Sequence, residues 1–221
     1  FMSNRLAVDI GGTFVDAIEF DLDTGALRLE KDFTTPKDAS TGVLSSIDLL
    51  SSELSNVETF IHGTTLGLNT VIERKGAMTG IITNEGFEDI FEIGRYDRQR
   101  DLMYSLSYER QEILVRKRYR RGVPGRLNAD GEELVPLDEK AVITATRLLE
   151  GMGVNSIAVC YLHSYQNPIH ETRTKEIILE HFPHLSVSLS SDIIREYREY
   201  ERTSTTVLNA YIQPIFEVYI K

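Results

Sequence analysis

The stretch VDIGGTFVDAIEF, residues Val8–Phe20, decides the fold. It opens apolar, breaks on Gly11, Gly12 and Thr13 between Asp9 and Asp16, and turns apolar again. Arg5–Ile10 reads as one strand and Thr13–Phe20 as a second, joined by the glycine turn. Asp23-Thr24-Gly25 is a further turn signal, and Ala26–Thr34 reads as a third strand. Three strands with tight connections predict an antiparallel meander. Two adjacent glycines let backbone amides face a ligand with no side chain between, and successive amides in a turn make an anion-binding concavity. Thr13 adds a hydroxyl donor. Asp9, ending a buried strand, is placed to hold Mg²⁺ or to orient an attacking oxygen. The chemistry of this stretch points to a phosphate-binding hairpin; the plainer alternative is a tight hairpin with polar corners. It is not a P-loop, because no glycine-lysine-serine/threonine follows, and it is not a dinucleotide fingerprint, because its glycines lead into a strand.

Downstream the pattern alternates. Thr35-Pro36 reads as a helix start, with Val43, Ile47, Leu50 and Leu54 as its core stripe. Val57–His62 reads as a strand and Thr65–Lys75 as a helix stopped by Gly76. Met78–Thr83 is a strand and Gly86–Ile93 a short helix. After Pro136, Asp138 caps a helix to Met152, with Val142, Ala145 and Leu149 inward. The continuous apolar run SIAVCYL suits a strand covered on both faces. Asn167-Pro168 starts a helix to about Phe182, and a strand follows around Val187 and Leu189. From Glu201, apolar residues recur at helical spacing to the last residues. That helix reads as cut short, so the chain reads as the front part of something longer; Phe1, ahead of Met2, reads as a remnant. The fold class is α/β, a mixed sheet beginning with a three-strand meander and carrying helices on both faces. Four segments are expected: residues 2–94 as a phosphate-binding lobe, 95–135 as a loop and hairpin insertion, 136–200 as the continuing α/β lobe, and 201–221 as the start of a helix.

The chain has 221 residues, with 34 acids against 24 bases and a net charge of −10, so no basic face offers itself to nucleic acid. Its single cysteine, Cys160, lies in an apolar run and reads as core. A lone cysteine fits a reducing, cytoplasmic compartment, and no apolar run reaches the ~18 residues of a membrane span.

DIGGTFVD resembles the first phosphate motif of the actin-like ATPase superfamily, with its ribonuclease H-like lobes. IHGTTLGLNTVIERKGAMTGIITNEGFEDIFEIGR, LHSYQNPIHE and REYERTSTTVLNAYIQP resemble the hydantoinase A/5-oxoprolinase family, and the likeness runs from Leu6 to about Pro214. Tyr96–Arg121 departs from the family pattern: RQRDLMYSL stands where an arginine-proline pair is usual. The resemblance implies ATP-dependent opening of cyclic amides, with ATP and Mg²⁺ as cofactors. The ATP-using subunit of an acetone or acetophenone carboxylase is the alternative, and a non-catalytic domain of the same fold is a third. It implies a second, hydantoinase B-like subunit, an oligomer, and an adenosine pocket downstream. Asp9 and His62 are the implied catalytic residues, Asp9 also the metal ligand. Gly11, Gly12, Thr13, Phe14, Asp16, Thr64 and Thr65 are the implied cofactor contacts; for the two later threonines the plainer alternative is a helix cap.

Other polar residues carry plainer expectations. Asp9, His62, His163 and the Ser190-Ser191 pair fall at strand ends, where some could share one crevice. His170, His181 and His184 read as helix-surface residues. RKRYRRGVPGR reads as a solvated hairpin, or as a dock for an acidic subunit. Arg195, Arg198, Glu199, Glu201 and Arg202 read as an exposed, salt-bridged helix start, with a functional or interlobe role as the alternative that the resemblance implies. Glu73-Arg74-Lys75 reads as a solvated helix end.

Overall fold

The computed structural model describes residues 4–33, 45–48, 50, 54–95, 103–106 and 112–220. The chain divides into two compact units, Phe1–Gly76 with Ile215–Lys221, and Ala77–Pro214.

The first unit is built on a four-stranded mixed sheet. Its strands are β1 (Asn4–Ile10), β2 (Phe14–Asp21), β3 (Leu27–Phe33) and β4 (Val57–Thr64), in the order β3-β2-β1-β4. The meander is antiparallel, as the turn signals demand, and β4 lies parallel to β1. Strict alternation sends Leu6, Val8, Ile10, Val15 and Ala17 to one face, where they pack with Ile47 and Leu50. The expected helix start at Thr35-Pro36 and its Val43 lie outside the described residues; residues 45–48 are helical. After β4, helix α1 (Leu66–Ile72) ends earlier than Gly76 predicts. Arg74 takes the left-handed conformation at φ 55°. The Arg74 and Lys75 amides donate back to the carbonyls of Val71 and Thr70, closing the helix by backbone geometry alone.

The second unit holds an all-parallel sheet. Strands β5 (Thr79–Asn84), β6 (Arg120–Val123), β9 (Ser156–Cys160) and β10 (Ser186–Leu189) lie in the order β10-β9-β5-β6. Between β5 and β6 comes the short helix α2 (Ile90–Ile93). β7 (Arg126–Leu127) and β8 (Glu133–Val135) form a separate antiparallel pair. Helices α3 (Glu139–Glu150) and α4 (Ile169–His181) cover one face of the sheet through Ile82, Ile157 and Val159. Val207 and Ala210 of α6 (Glu199–Ile220) cover the other through Ile81, Ala158 and Cys160. A short helix α5 (Ser190–Ile193) follows β10. Covering on both faces explains why SIAVC is apolar without a break. Asp138 caps α3 as expected, its carboxylate accepting the Ala141 amide at 2.9 Å.

The arginine run departs from the expected solvated hairpin. Its residues Arg120 and Arg121 open β6, an edge strand of the parallel sheet. The Arg120 side chain is buried, donating to the carbonyls of Val115 and Glu88 and to the carboxylates of Asp89 and Glu92. The edge is therefore held by a guanidinium whose donors are spent internally. Arg116, Lys117 and Arg118 stay exposed.

Pro214 lies inside α6. It has no N–H, so the carbonyl four residues back, at Ala210, loses its helical partner. The buried Ser156 hydroxyl at the start of β9 donates to that carbonyl at 2.6 Å. Ser156→Ala should lower the unfolding free energy by about 1–3 kcal/mol, the cost of a buried unpaired carbonyl. Adding Pro214→Ala should recover most of that loss, because alanine restores the helical N–H. Urea unfolding of the two single variants and the double variant tests this; strictly additive costs would refute the compensation.

Candidate functional site

The register of the first sheet arranges the opening motif. β1 pairs Asp9 with Asp16 of β2 and with Gly63 of β4, and Asp16 pairs in turn with Lys31 of β3. These residues form a row on the face opposite Val8. The Asp9 carboxylate lies over Gly63: a Cβ there would meet its Oδ1 at 3.0 Å. Asp16 is held by Lys31 at 3.2 Å, whereas Asp9 makes no hydrogen bond or ion pair among the described residues. Lys31 also stands over the Phe14 ring, 4.8 Å from its centre, and Phe14 tilts against Phe33 at 5.1 Å. Asp16 and Phe14 are therefore engaged across the meander.

The turn between β1 and β2 is three residues long, Gly11, Gly12 and Thr13. The Gly11 amide donates to the Phe14 carbonyl at 2.8 Å and so serves the hairpin. The amides of Gly12 and Thr13 and the Thr13 hydroxyl find no partner among the described residues. Thr13 is exposed. Neither glycine has a positive φ; close approach is what Gly12 serves, since a Cβ there would meet Asn69 Nδ2 at 3.1 Å. Asn69 is the residue that sequence reading missed. It donates to Thr65 Oγ1 at 3.1 Å and stands beside the turn, one helical turn beyond Thr65, a spacing from which it could have been found.

The carboxyl ends of β1 and β4 are tied together. The Thr65 amide donates to the Ile10 carbonyl at 3.1 Å, and Thr64 Oγ1 accepts the Leu66 amide at 3.1 Å. Thr64 thus serves the first helical amide from one residue before the N-cap, and Thr65, at the N-cap, makes no side-chain capping bond. His62 is not brought to Asp9. It pairs with Val8, one residue out of phase, and so projects from the opposite face. There it stacks with Phe60 and Tyr219 and is hydrogen-bonded through its ring to the Tyr219 hydroxyl. Burial raises the Tyr219 hydroxyl above its ordinary pKa, so it stays protonated in this pair.

His163, Ser190 and Ser191 belong to the second unit and share no sheet with Asp9 and His62. Glu171, fully buried on α4, accepts from the Tyr161 amide at 2.9 Å, the Ser190 hydroxyl at 2.6 Å and the Ser191 amide at 2.8 Å. Arg202 is likewise buried, contrary to its expected place on an exposed helix start. It donates to Ser190 Oγ, the Tyr161 carbonyl and the Glu196 carbonyl. Ser190 also meets Ser164 at 3.0 Å. His163, beyond Tyr161 and Leu162 after the end of β9, takes φ 61°. His170 is buried and bonded to Glu133 at 2.7 Å, not on a helix surface. Burial pushes the Cys160 thiol up to about 12, which makes it core and not a nucleophile.

Residues 5–182 match the family model of the hydantoinase/oxoprolinase N-terminal region. Caprolactamase subunit alpha of Pseudomonas jessenii is 33% identical over 98% of this chain and 32% of its own length. The crystal structure titled ATP-dependent caprolactamase from that organism superposes with a TM-score of 0.84 over 98% of this chain and 32% of that one. A nucleotide-free acetone carboxylase structure superposes at 0.85 with 28% identity, covering 100% of this chain and 35% of that one. The 5-oxoprolinase of Saccharomyces cerevisiae is 28% identical over 98% of this chain and 20% of its own length. The chain thus spans about a third or less of the relatives it matches.

The placement of His62 makes its own prediction. His62→Phe keeps the stacked ring and removes the hydrogen-bonding partner of Tyr219, so thermal unfolding should show a loss of about 0.5–1 kcal/mol. Because the ring lies on the face away from Asp9, nucleotide affinity in the complete enzyme should stay within about twofold. A large loss of nucleotide affinity without a stability change would overturn this placement.

Proposed function

Because the chain belongs to the hydantoinase/oxoprolinase family, we propose that it forms the phosphate-binding lobe of an ATP-dependent enzyme that opens cyclic amides. The observation that carries this reading is the turn after β1, which offers two unpaired amides and a hydroxyl beside an unpartnered carboxylate. Gly12, Thr13 and Asn69 would grip phosphate oxygens; Gly11 closes the hairpin that aims them. Phe14, Asp16, Thr64 and Thr65 would hold this frame in place. Phosphorylation of the amide oxygen would make the amide carbon electrophilic enough for water to add; the ring C–N bond then breaks, the nitrogen takes a proton and phosphate is released.

Asp9 fits a magnesium site of the kind that takes one carboxylate and completes its shell with phosphate and water. Among the described residues no group of three or more His, Cys, Asp or Glu gathers to form a protein-only metal cage. When bound, the ion would offset phosphate charge. Asp9 itself would orient the attacking oxygen and accept its proton. His62 contributes by fixing β4 against Tyr219, which holds Gly63 beneath Asp9.

The second reading is the ATP-using subunit of a ketone carboxylase, favoured by the close superposition on acetone carboxylase. A second subunit completing the site accords with relatives named as subunits. No described helix is long and apolar enough to cross a membrane, and a single buried cysteine suits a reducing cytoplasm.

The test is ADP release by the complete protein with Mg-ATP, first with hydantoins, 5-oxoproline and lactams, then with ketones and bicarbonate. Stimulation by a cyclic amide alone is expected; stimulation by ketone only with bicarbonate would give the carboxylase. Asp9→Asn should lower turnover by roughly 100-fold or more while the unfolding midpoint holds. Unchanged turnover in that variant would refute the role of Asp9.

A further inference from the structure

The second unit carries a cavity of about 710 Å³ that the phosphate turn does not use. Its place follows from topology. From β5 the chain passes to β6 on one side, and later to β9 and β10 on the other, so the β5/β9 boundary is a switch point of the parallel sheet. Ligands of such sheets collect outside the carboxyl ends of the strands at that point. The cavity is lined by Ile90 and Arg95 from the connection after β5, and by Tyr197–Glu201 from the segment after β10. Helix α6 runs back along the sheet, with Ala210 at the start of β9 and its amino end at this crevice. Arg202 bonds both the Tyr161 and Glu196 carbonyls, which fixes the wall.

The charges in this cavity are not all spent. Arg95 is committed to Glu201 by two hydrogen bonds of 2.8 Å. Burial pushes the Glu201 carboxyl up, and the Arg95 hydrogen bond and charge outweigh it, so Glu201 stays ionised below its usual range. Arg198 gives its Nε to the Tyr197 hydroxyl at 3.0 Å. Its terminal nitrogens make no hydrogen bond among the described residues, the nearest carboxylate being Glu201 at 4.0 Å. The next residue, Glu199, has no hydrogen-bonding or ionic partner among the described residues. A guanidinium whose terminal nitrogens make no hydrogen bond, one of them ion-paired with Glu201, and an unpartnered carboxylate therefore stand at neighbouring positions beside the rings of Tyr197 and Tyr200.

We propose that this cavity binds a small zwitterionic amino acid, its carboxylate on Arg198 and its ammonium on Glu199, with the carbon chain along the tyrosines. The proposal deepens the amide-opening reading and rests on it for the ligand's origin. Hydrolysis of a lactam breaks the ring C–N bond, adds the water oxygen to the acyl carbon and the protons to nitrogen, and so leaves a carboxylate and an ammonium on one molecule. The cavity matches the class of product that this reaction yields, and a bidentate guanidinium–carboxylate pair gives the orientation.

The experiment is an NMR titration of the chain, without ATP, using 6-aminohexanoate and glutamate as probes and hexanoate and hexylamine as controls. Saturable binding of an amino acid is expected, about tenfold or more tighter than either control. Arg198→Ala should abolish the preference over hexylamine, and Glu199→Gln the preference over hexanoate, with unfolding midpoints confirming intact variants. Absence of saturable amino-acid binding, or equal binding of all four compounds to the parent chain, overturns the proposal. The titration needs no turnover, so it succeeds or fails separately from the ADP-release assay.

Discussion

The register of β1 is the constraint on which the first unit depends. β1 is paired on both sides, antiparallel to β2 and parallel to β4. Side chains alternate along a strand, so a slip of one residue would exchange its two faces. The buried set Leu6, Val8 and Ile10 forbids that slip. Burying three such side chains contributes about 1.5–3 kcal/mol each, whereas a slipped strand would bury Asp9 and expose all three. Hydrophobic burial on one face therefore fixes where the carboxylate stands on the other. The same register settles the relation of Asp9 to Gly63 and of Val8 to His62.

This explains which parts of the site were legible in the sequence. The meander, the glycine turn and the alternation of β1 are local, and each follows from neighbouring residues. Asp9 and Thr13 are read from the same short stretch. The separation of Asp9 from His62 is not local: it needs the phase of β4 against β1, which lies some fifty residues away in the chain and which no residue pattern prints. Asn69 was missed for a similar reason, since its role comes from the approach of α1 to the turn. Gly76 was misread as the helix stop because glycine is the usual left-handed residue; here the helix closes at Arg74 instead.

In the second unit the unread features are buried polar groups. RKRYRR and REYERTSTT look solvated by composition, since arginine is seldom fully buried. Arg120 and Arg202 are exceptions because carbonyls and carboxylates wait for them at strand ends. Buried charge is tolerated when its hydrogen bonds are complete. Ser190 shows how this is done: its hydroxyl donates to Glu171 and accepts from Arg202, so the two buried charges are joined through one small side chain. The price in desolvation is met by order at the end of the sheet, where Tyr161, Ser190, Ser191 and Glu196 are all held by these two residues.

Charge also bears on how such a chain could hold phosphate. With a net charge of −10 it repels anions at long range. Near the turn the one lysine across the meander, Lys31, is engaged by Asp16. An anion bound there would draw on dipoles: the free amides of Gly12 and Thr13, which carry partial positive charge without a mobile side chain. Asp9 opposes such an anion directly, at about 1–4 kcal/mol for a charge 4 Å away under surface screening. A lone carboxylate beside an amide nest is therefore unfavourable for bare phosphate and favourable for a phosphate that arrives with a divalent cation. On the proposed reading that asymmetry would favour a metal–nucleotide complex over the free anion, and it follows from three adjacent positions and the register that holds them.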